Sequence, residues 1–433
     1  MVRVGFLSAH FRWHSVGRLT VGLLEELSRN SNGLDIFVMH ASSSAGASIV
    51  WLTPTPPPAT GHESSFGGVG ANSSNGLKGM QEIVVALKLD VIVFADVGMD
   101  ALTTGLAHSR LAPVQVAFWG HPATTGLPVV DYFITSDLFE GEIFRHGNDD
   151  DDDVRLCSTS NRSGKRRQQR SECADGHDDS RPWRQEVFSE QLVRLGGLGM
   201  IFDDPVETFH TAGPSDGATI AALLRPRSDR DPHRPRLYVC TQSLMKMHPA
   251  FDTVIADILA EDPLAHIILI RDSRQLLWHS RFRRRLRAAR PTSVGKQFWS
   301  RVRFVSPLSG REFFRLQCRA DVVLDPFPFG GGVTIIEALA CSTPVVTSGA
   351  KQSVHRLAEG MITAISATRE AGGGVEGLLQ EGRYIKKAVA VAAPGQLRDK
   401  VRSALWSGRD GILRGDDGSV VMDWERFLKN AVA

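Results

Sequence analysis

The segment "DVVLDPFPFGGGVTIIEALACSTPVV", residues 321–346, places three consecutive glycines between two apolar runs. The first run is short and continuous, which is typical of a buried strand, and the second begins near Val333 with helical spacing. Glycine lets other groups approach the main chain closely, because it has no side chain. The segment therefore predicts a strand, a tight turn and a helix, the repeating unit of layered α/β domains.

Strands and helices alternate on both sides of this segment. Apolar strand patterns in the N-terminal half include "VRVGFLSA" (2–9), "DVIVFAD" (90–96) and "PVQVAFWG" (113–120), and in the C-terminal half "RLYVCTQ" (236–242) and "AHIILIRD" (265–272). Regular alternation of this kind indicates two doubly wound α/β domains. Ligands of such sheets bind beyond the C-terminal ends of the strands, so we expect the site in the cleft between the domains.

Breaks in the alternation set the predicted domain boundaries. Stretches rich in Ser, Gly and Pro, and blocks of like charge such as "GNDDDDD" (147–153), lack apolar periodicity and are typical of flexible insertions. The predicted units are an N-terminal domain over 1–203 with insertions near 41–79 and 146–182, a linker over 204–235, a C-terminal domain over 236–410, and a C-terminal helix within 411–433.

Composition excludes several classes of protein. The 50 basic and 48 acidic residues nearly balance, which gives no electrostatic case for nucleic-acid binding. The sequence has no apolar stretch long enough to span a bilayer and no signal-peptide pattern at its start, so we expect no membrane partner and a cytoplasmic or nuclear location. The cysteines are scattered and odd in number, which argues against a disulfide framework and a zinc site: Cys157, Cys173, Cys240, Cys318 and Cys341.

The glycine turn is the first candidate site. Free N–H groups at the start of the helix after Gly330, Gly331 and Gly332 would bind an anion, and Thr334 would add a hydroxyl donor. Glu337 lies one turn further, where a carboxylate accepts hydrogen bonds from ribose hydroxyls. The alternative is a tight turn with no ligand. The turn matches neither the dinucleotide fingerprint nor a Walker A loop, so a dehydrogenase is disfavoured.

Other candidates follow the remaining strands. Ser243 and Lys246 lie in "TQSLMKMHP" (241–249), and a lysine there supplies a point charge for a diphosphate unless it is a solvated surface residue. His14 follows the first strand and is a candidate base or hydrogen-bond donor, although a histidine in a loop is often only an exposed polar residue. Asp96 ends the strand 90–96 as a candidate base, with helix capping as its alternative.

Two further stretches bear on the chemistry. The loop "GHPATTGLPVVDYF" (120–133) is dense in Gly, Pro and Thr, which suits either a cleft lining or a rigid connection. The aspartate run at 149–153 resembles a metal motif, but it falls inside the predicted insertion rather than at a strand end. We therefore expect no metal ion in the site.

Together these motifs resemble the catalytic region of the nucleocytoplasmic O-linked N-acetylglucosamine transferases and the plant SPINDLY proteins, glycosyltransferase family 41. The resemblance lies in four stretches that occur in order: "VRVGFLSAHFRWHSVG", "RLAPVQVAFWGHPATTGLPVVDYFITSD", "LYVCTQSLMKMHP" and "DVVLDPFPFGGGVTIIEALACSTPVV". It implies a GT-B fold, with two Rossmann-like domains facing a central cleft. It also implies inverting, metal-independent sugar transfer from UDP-GlcNAc to Ser or Thr hydroxyls of proteins, without a cofactor.

The resemblance also assigns roles to single residues. It implies that His14 is the active-site histidine near donor and acceptor, that Lys246 and Thr334 bind the phosphates, and that Glu337 holds the ribose. Ser243 falls where the animal enzymes have a glutamine. SPINDLY-like proteins use GDP-fucose, so the donor stays open between the two nucleotide sugars.

The sequence departs from the family pattern at the turn itself. Gly332 replaces a histidine of the animal enzymes, and Val333 stands where the family usually has a polar residue, so one phosphate donor is missing. A non-catalytic nucleotide-sugar-binding or scaffolding protein is therefore the rival hypothesis to a protein glycosyltransferase.

Overall fold

The structure is a computed structural model. It describes residues 1–11, 14–30, 32–42, 46–52, 76–140, 187–210, 233–271, 276–348, 353–368, 375, 384–413 and 418–433. The predicted insertion at 146–182 lies outside these residues, as do Cys157, Cys173 and the aspartate run at 149–153. No helix among the described residues combines the length and the apolar character needed to cross a membrane.

The N-terminal domain is built on a seven-stranded sheet in the order β3-β2-β1-β4-β5-β6-β7. All neighbouring pairs are parallel except β2 with β3, which are antiparallel. The central strands are apolar and buried, as expected for strands covered on both faces. The strands are β1 (Val2–Ser8), β2 (Leu34–Ser42), β3 (Gly46–Leu52), β4 (Val91–Phe94), β5 (Val114–Phe118), β6 (Tyr132–Ser136) and β7 (Gln191–Leu195).

The described residues before 211 form five helices. They are α1 (Ser15–Asn30), α2 (Gly76–Ala86), α3 (Ala101–Ala107), α4 (Asp137–Glu140) and α5 (Pro205–His210). The α1 helix buries one apolar face that includes Leu19, Leu23 and Leu27. Asp100 caps α3, since its Oδ1 accepts hydrogen bonds from the N–H groups of Leu102 (2.8 Å) and Thr103 (3.0 Å).

The C-terminal domain contains a five-stranded parallel sheet in the order β10-β9-β8-β11-β12. This is the strand order of a Rossmann half, in which the order reverses beside the first strand of the domain. The strands are β8 (Arg236–Cys240), β9 (Ala265–Ile270), β10 (Val302–Val305), β11 (Val322–Leu324) and β12 (Val345–Val346). Both domains therefore confirm the predicted doubly wound α/β class.

The described residues after 232 form the remaining helices. They are α6 (Pro249–Glu261), α7 (Leu276–Ala289), α8 (Phe298–Arg301), α9 (Gly310–Arg319), α10 (Val333–Ala340), α11 (Ser353–Ala367), α12 (Tyr384–Ala392), α13 (Gln396–Ser407), α14 (Asp410–Leu413) and α15 (Ser419–Asn430). The α10 helix begins directly after the glycine turn, as predicted, and seven of its eight residues are buried.

The last helix, α15, returns to the N-terminal domain. Trp424 is completely buried there, with its ring 5.8 Å from Phe6 and 6.0 Å from Phe118. Its indole N–H donates to the Gly199 carbonyl oxygen at 2.9 Å. The chain therefore passes from the N-terminal to the C-terminal domain and back again. Its helix α15 completes the core of the N-terminal domain.

Two predicted boundaries need correction. Residues 46–52, placed in a flexible insertion, form β3 and pair with β2. The apolar run "SIVWL" (48–52) is short and flanked by Ser, Gly and Pro, which masked its strand pattern in the sequence. The predicted linker begins with α5, while residues 211–232 lie outside the described part of the chain.

The cysteine expectation is wrong for one pair. Cys318 near the end of α9 and Cys341 after α10 form a disulfide, with Cα atoms 5.1 Å apart. The spacing of these cysteines in the sequence does not predict the disulfide, because the pairing depends on the side-by-side packing of the two helices. Cys240 is a buried free thiol, and burial raises its pKa to about 12.

Candidate functional site

The candidate residues follow the C-terminal ends of strands from both sheets. His14 follows β1 and Asp96 follows β4, whereas Lys246 follows β8 and the glycine turn follows β11. The ends of parallel strands lie along one edge of each sheet, where doubly wound domains bind their ligands. Contacts between the two edges, described below, show that they face each other across a cleft.

The glycine turn leads into α10 without a side-chain cap. Gly332 is the N-cap residue, and no described residue accepts a hydrogen bond from the N–H groups of Val333 or Thr334. Free N–H groups at the start of a helix carry partial positive charge and bind anions. The turn therefore offers the backbone part of an anion site.

The three glycines of the turn differ in whether a side chain would fit. A Cβ atom on Gly330 would lie 2.8 Å from Asp325 Oδ2, and one on Gly331 would lie 2.4 Å from Gln242 Nε2. These two positions exclude side chains because protein groups pack against them. At Gly332 the nearest atom to a Cβ would be 3.9 Å away, on Leu357, so this position has room for a side chain.

Asp325 lies directly beneath the turn and was not predicted as a site residue. Its carboxylate accepts hydrogen bonds from the Gly331 N–H (2.7 Å) and the Thr347 hydroxyl (2.9 Å), and the residue is 1% exposed. Burial raises the pKa of Asp325 to about 6, partly opposed by these hydrogen bonds and by the charge of Lys246. The carboxylate fixes the shape of the turn.

Lys246 is held at the turn by three contacts. Its Nζ donates to Gln242 Oε1 (2.9 Å) and to the Gly330 carbonyl oxygen (3.1 Å), and lies 4.3 Å from the centre of the Phe329 ring. Burial lowers the pKa of Lys246, and the nearby Asp325 opposes that shift. The lysine is thus a fixed component of the turn and not a solvated surface residue.

Gln242 connects Lys246 to the helix and was also missed. Its Nε2 donates to the Thr334 hydroxyl oxygen at 2.5 Å, which leaves the hydroxyl hydrogen of Thr334 available to a ligand. Ser243, the neighbour that was predicted instead, begins a short 3-10 turn (Leu244–Lys246), and its side chain makes no capping hydrogen bond there. Lys246, Thr334 and the glycines lie together in the structure, with Gln242 between them.

Glu337 lies one turn along α10 but is 3% exposed. One carboxylate oxygen pairs with the Arg18 guanidinium of α1, and the other accepts from Gln317 Nε2 at 2.8 Å. The guanidinium lies between the rings of Phe202 (5.3 Å) and Phe209 (5.1 Å). The ribose role of Glu337 stays a prediction, and a ribose at this carboxylate would have to displace Arg18.

In the N-terminal domain, Asp96 is fully buried after β4. Its Oδ2 accepts from the Ser8 hydroxyl (2.8 Å) and the Ala9 N–H (3.0 Å), and His10 Nε2 lies 4.0 Å away. Burial raises the pKa of Asp96, while the hydrogen bond from Ser8 and the nearby His10 oppose the rise. Asp96 is not a helix cap, because the cap of α3 is Asp100.

His10 joins Asp96 to His14 and was not predicted. The His10 and His14 rings stack, with centroids 4.0 Å apart and planes 22° apart. His14 Nδ1 accepts a hydrogen bond from the Val16 N–H at 3.3 Å, so in the neutral ring Nε2 carries the hydrogen. Burial, with a smaller contribution from His10, lowers the pKa of His14 to about 4. His14 is therefore a neutral hydrogen-bond donor near pH 7.

Two surface cavities lie away from this cleft. One, of about 460 Å³, lies beside β7 and α15, and another, of about 420 Å³, lies beside the Cys318–Cys341 disulfide. Neither is lined by a predicted site residue. Among the described residues, no three His, Cys, Asp or Glu side chains are arranged to hold a metal ion.

Comparison with known proteins identifies the fold. No family model matches the sequence, and a search of curated proteins finds no match. A mutant O-GlcNAc transferase from Thermobaculum terrenum superposes with a TM-score of 0.63 at 19% identity, covering 100% of this chain and 68% of that one. The N-terminal domain of Candida albicans trehalose-6-phosphate phosphatase superposes with a TM-score of 0.50 at 11% identity, covering 100% and 97%. With its two Rossmann-like domains facing one cleft, the chain has a GT-B fold, as predicted.

Proposed function

We propose that this protein is a glycosyltransferase that transfers a sugar, N-acetylglucosamine from UDP-GlcNAc, to Ser or Thr hydroxyls of proteins. The observation that carries the proposal is the position of Lys246. A partly buried ammonium group is fixed 3.1 Å from the Gly330 carbonyl oxygen, beside the free N–H groups that begin α10. A cation and a helix N-terminus at one point form a site for a diphosphate.

The proposed reaction places the donor diphosphate at this turn. The acceptor hydroxyl oxygen attacks the anomeric carbon, and the bond from that carbon to the phosphate oxygen breaks with its electron pair leaving on UDP. Lys246, the N–H groups of Val333 and Thr334, and the Thr334 hydroxyl stabilise the charge that develops on the leaving diphosphate. Because these groups supply the positive potential, we propose that transfer needs no metal ion and no cofactor.

The proton of the acceptor hydroxyl is proposed to leave through the His10–Asp96 pair. Asp96 is fully buried, whereas the His10 side chain is 28% exposed and lies between Asp96 and the solvent side. His10 therefore takes the proton, and the Asp96 carboxylate stabilises the imidazolium that forms. His14, whose Nδ1 is occupied by the Val16 N–H, donates from Nε2 and orients the reactants.

Two observations favour a second candidate, a non-catalytic protein that binds a nucleotide sugar. Val333 supplies no side-chain donor at the start of α10. The Glu337 carboxylate is occupied by Arg18 and Gln317 rather than open to a ribose. A protein that binds the diphosphate through Lys246 but holds the ribose loosely would bind the donor without efficient transfer.

The test compares the wild type with Lys246→Ala and with the matched control Lys296→Ala, an exposed lysine of the same domain. Each protein is titrated with UDP and GDP by calorimetry, then incubated with labelled UDP-GlcNAc or GDP-fucose and a mixture of cytosolic proteins, with and without EDTA. Loss of hydrogen bonds to a charged phosphate is expected to weaken UDP binding by about 10- to 100-fold in Lys246→Ala only.

Each result has one meaning. Transfer from UDP-GlcNAc in the presence of EDTA supports the proposal. Transfer from GDP-fucose alone would show that the donor is GDP-fucose and not UDP-GlcNAc. Binding without transfer or hydrolysis establishes the second candidate in place of the enzyme. A wild type that binds neither nucleotide overturns both candidates.

A further inference from the structure

His121 lies at the boundary between the two domains. It begins the loop that follows β5, and a Cβ atom on Gly98 would lie 2.9 Å from its Cδ2 and 3.0 Å from its Nε2. On the other side, its ring stacks on Phe329 of the C-terminal domain, with centroids 6.1 Å apart and planes 26° apart. The imidazole is therefore held between a glycine of one domain and an aromatic ring of the other.

The same phenylalanine also contacts the proposed diphosphate site. Lys246 Nζ lies 4.3 Å from the centre of the Phe329 ring, and Phe329 directly precedes the glycine turn. His121 thus lies near the ammonium group from the opposite domain, and Phe329 contacts both side chains. Burial, and then the charge of Lys246, lower the pKa of His121, so the ring is neutral near pH 7 and has one N–H to donate.

No group in the described part of the chain accepts a hydrogen bond from that N–H. Among the described residues, neither ring nitrogen of His121 makes a hydrogen bond, although the ring is half-buried and fixed by its neighbours. A polar ring that is held in place but has no partner is arranged for a ligand or for water. The turn opposite lacks a side-chain donor at one point, since Gly332 has no side chain and the nearest atom to a Cβ there would be 3.9 Å away.

We propose that His121 is a diphosphate-binding residue that donates a hydrogen bond from the N-terminal domain to the phosphate seated at the glycine turn. The inference rests on the proposed function, because it takes the donor of that reaction as its ligand. It adds that the phosphate site is built from both domains. The C-terminal domain supplies Lys246, Thr334 and the N–H groups of α10, and the N-terminal domain supplies the imidazole that completes the site.

The experiment separates the hydrogen bond from the shape of the ring. His121→Phe keeps an aromatic ring on Phe329 but removes the donor, whereas His121→Gln keeps a side-chain N–H. Each variant and the wild type are titrated with UDP and with uridine by calorimetry, and their melting temperatures are compared. We expect about 10-fold weaker UDP binding in His121→Phe, a smaller loss in His121→Gln, and uridine affinity equal in all three proteins.

Unchanged UDP affinity in His121→Phe overturns the inference while leaving the proposed function intact. Equal losses for UDP and uridine also overturn it, because the ring would then act through its packing and not on phosphate. A wild type that binds no UDP contradicts the proposed function itself, and the inference with it.

Discussion

Arg18 of the N-terminal domain pairs with Glu337 of the C-terminal domain through a contact that is almost excluded from water. The carboxylate side chain is 4% exposed and the guanidinium 19% exposed, and the second carboxylate oxygen is satisfied by Gln317. A charge buried in this way is costly when its partner is removed. The pair therefore fixes the relative positions of α1 and α10, the two helices that begin beside the proposed reaction centre.

Removing either partner should destabilise the protein. We expect Arg18→Met and Glu337→Gln each to lower the apparent free energy of unfolding by roughly 3 kcal/mol, since each leaves a buried partner unpaired. The loss of unfolding free energy in the double variant should be smaller than the sum of the two single losses, by about 1 to 3 kcal/mol. Urea unfolding measures all three, and Arg29→Met, at an exposed pair with Glu25, is the control with a change below about 1 kcal/mol. Strict additivity of the two changes would show that the pair is not coupled.

Adjacent glycines of the turn should respond differently to alanine. A Cβ on Gly331 would meet Gln242 Nε2 at 2.4 Å, so Gly331→Ala should cost about 1 to 3 kcal/mol of unfolding free energy and displace the amide that contacts Lys246. A Cβ on Gly332 would make only an ordinary contact with Leu357 at 3.9 Å, so Gly332→Ala should change stability by less than about 1 kcal/mol. Chemical denaturation and UDP titration of the two variants measure the contrast. Equal losses would contradict the packing argument.

Asp325 should make stability depend on pH. Its pKa is raised from 3.8 to about 6 in the folded protein, so the unfolded chain releases this proton at lower pH than the folded one. The wild type therefore loses stability as pH rises from about 4 to about 6, by at most about 1.4 kcal/mol per pH unit, and loses no more above that range. Asp325→Asn lacks this titration.

The measurement is the difference in unfolding free energy between the wild type and Asp325→Asn at intervals from pH 4.5 to 7.5. Taking the difference cancels the titration of groups that do not interact with Asp325. We expect the unfolding free energy of the wild type to decrease relative to that of the variant up to about pH 6. Above pH 7 the difference between the two should be constant. A difference that is constant throughout would mean that the buried carboxylate is not shifted.

The stacked histidines give a direct spectroscopic prediction. The His14 imidazole should titrate at about 4 by NMR, because burial and then the neighbouring His10 disfavour its charged form. In His10→Gln the pKa of His14 should rise but stay below its ordinary value of 6.5, since burial is the larger cause. A His14 that titrates near 6.5 in the wild type would contradict the buried, stacked geometry.

The sequence was sufficient to predict the glycine turn, because the strand, the glycines and the helix that form it are adjacent in the chain. The strand before Asp325, the glycines and the apolar helix after them are one continuous stretch, and the structure reproduces it as β11, turn and α10. Lys246 was predicted for the same reason, since it lies in the loop that follows a strand. Alternation of strands and helices was likewise sufficient to predict two doubly wound sheets.

Residues that act through long-range contacts were missed. Gln242 is adjacent to the predicted Ser243, but only the direction of its side chain from the end of β8 selects it, and a sequence does not show direction. Arg18 meets Glu337 across 319 positions of the chain, so no spacing rule could pair them. The Cys318–Cys341 disulfide depends on the packing of α9 against α10 in the same way.

Because α15 supplies Trp424 to the core around Phe6 and Phe118, the first domain is not complete until residues 419–430 have been made. During translation, the strands of the C-terminal sheet are synthesised before α15, the helix that packs on the N-terminal sheet. The apolar surface of the N-terminal sheet that α15 covers therefore stays exposed while the C-terminal domain is synthesised. One cut between the domains would leave both halves with a surface that only the other can bury.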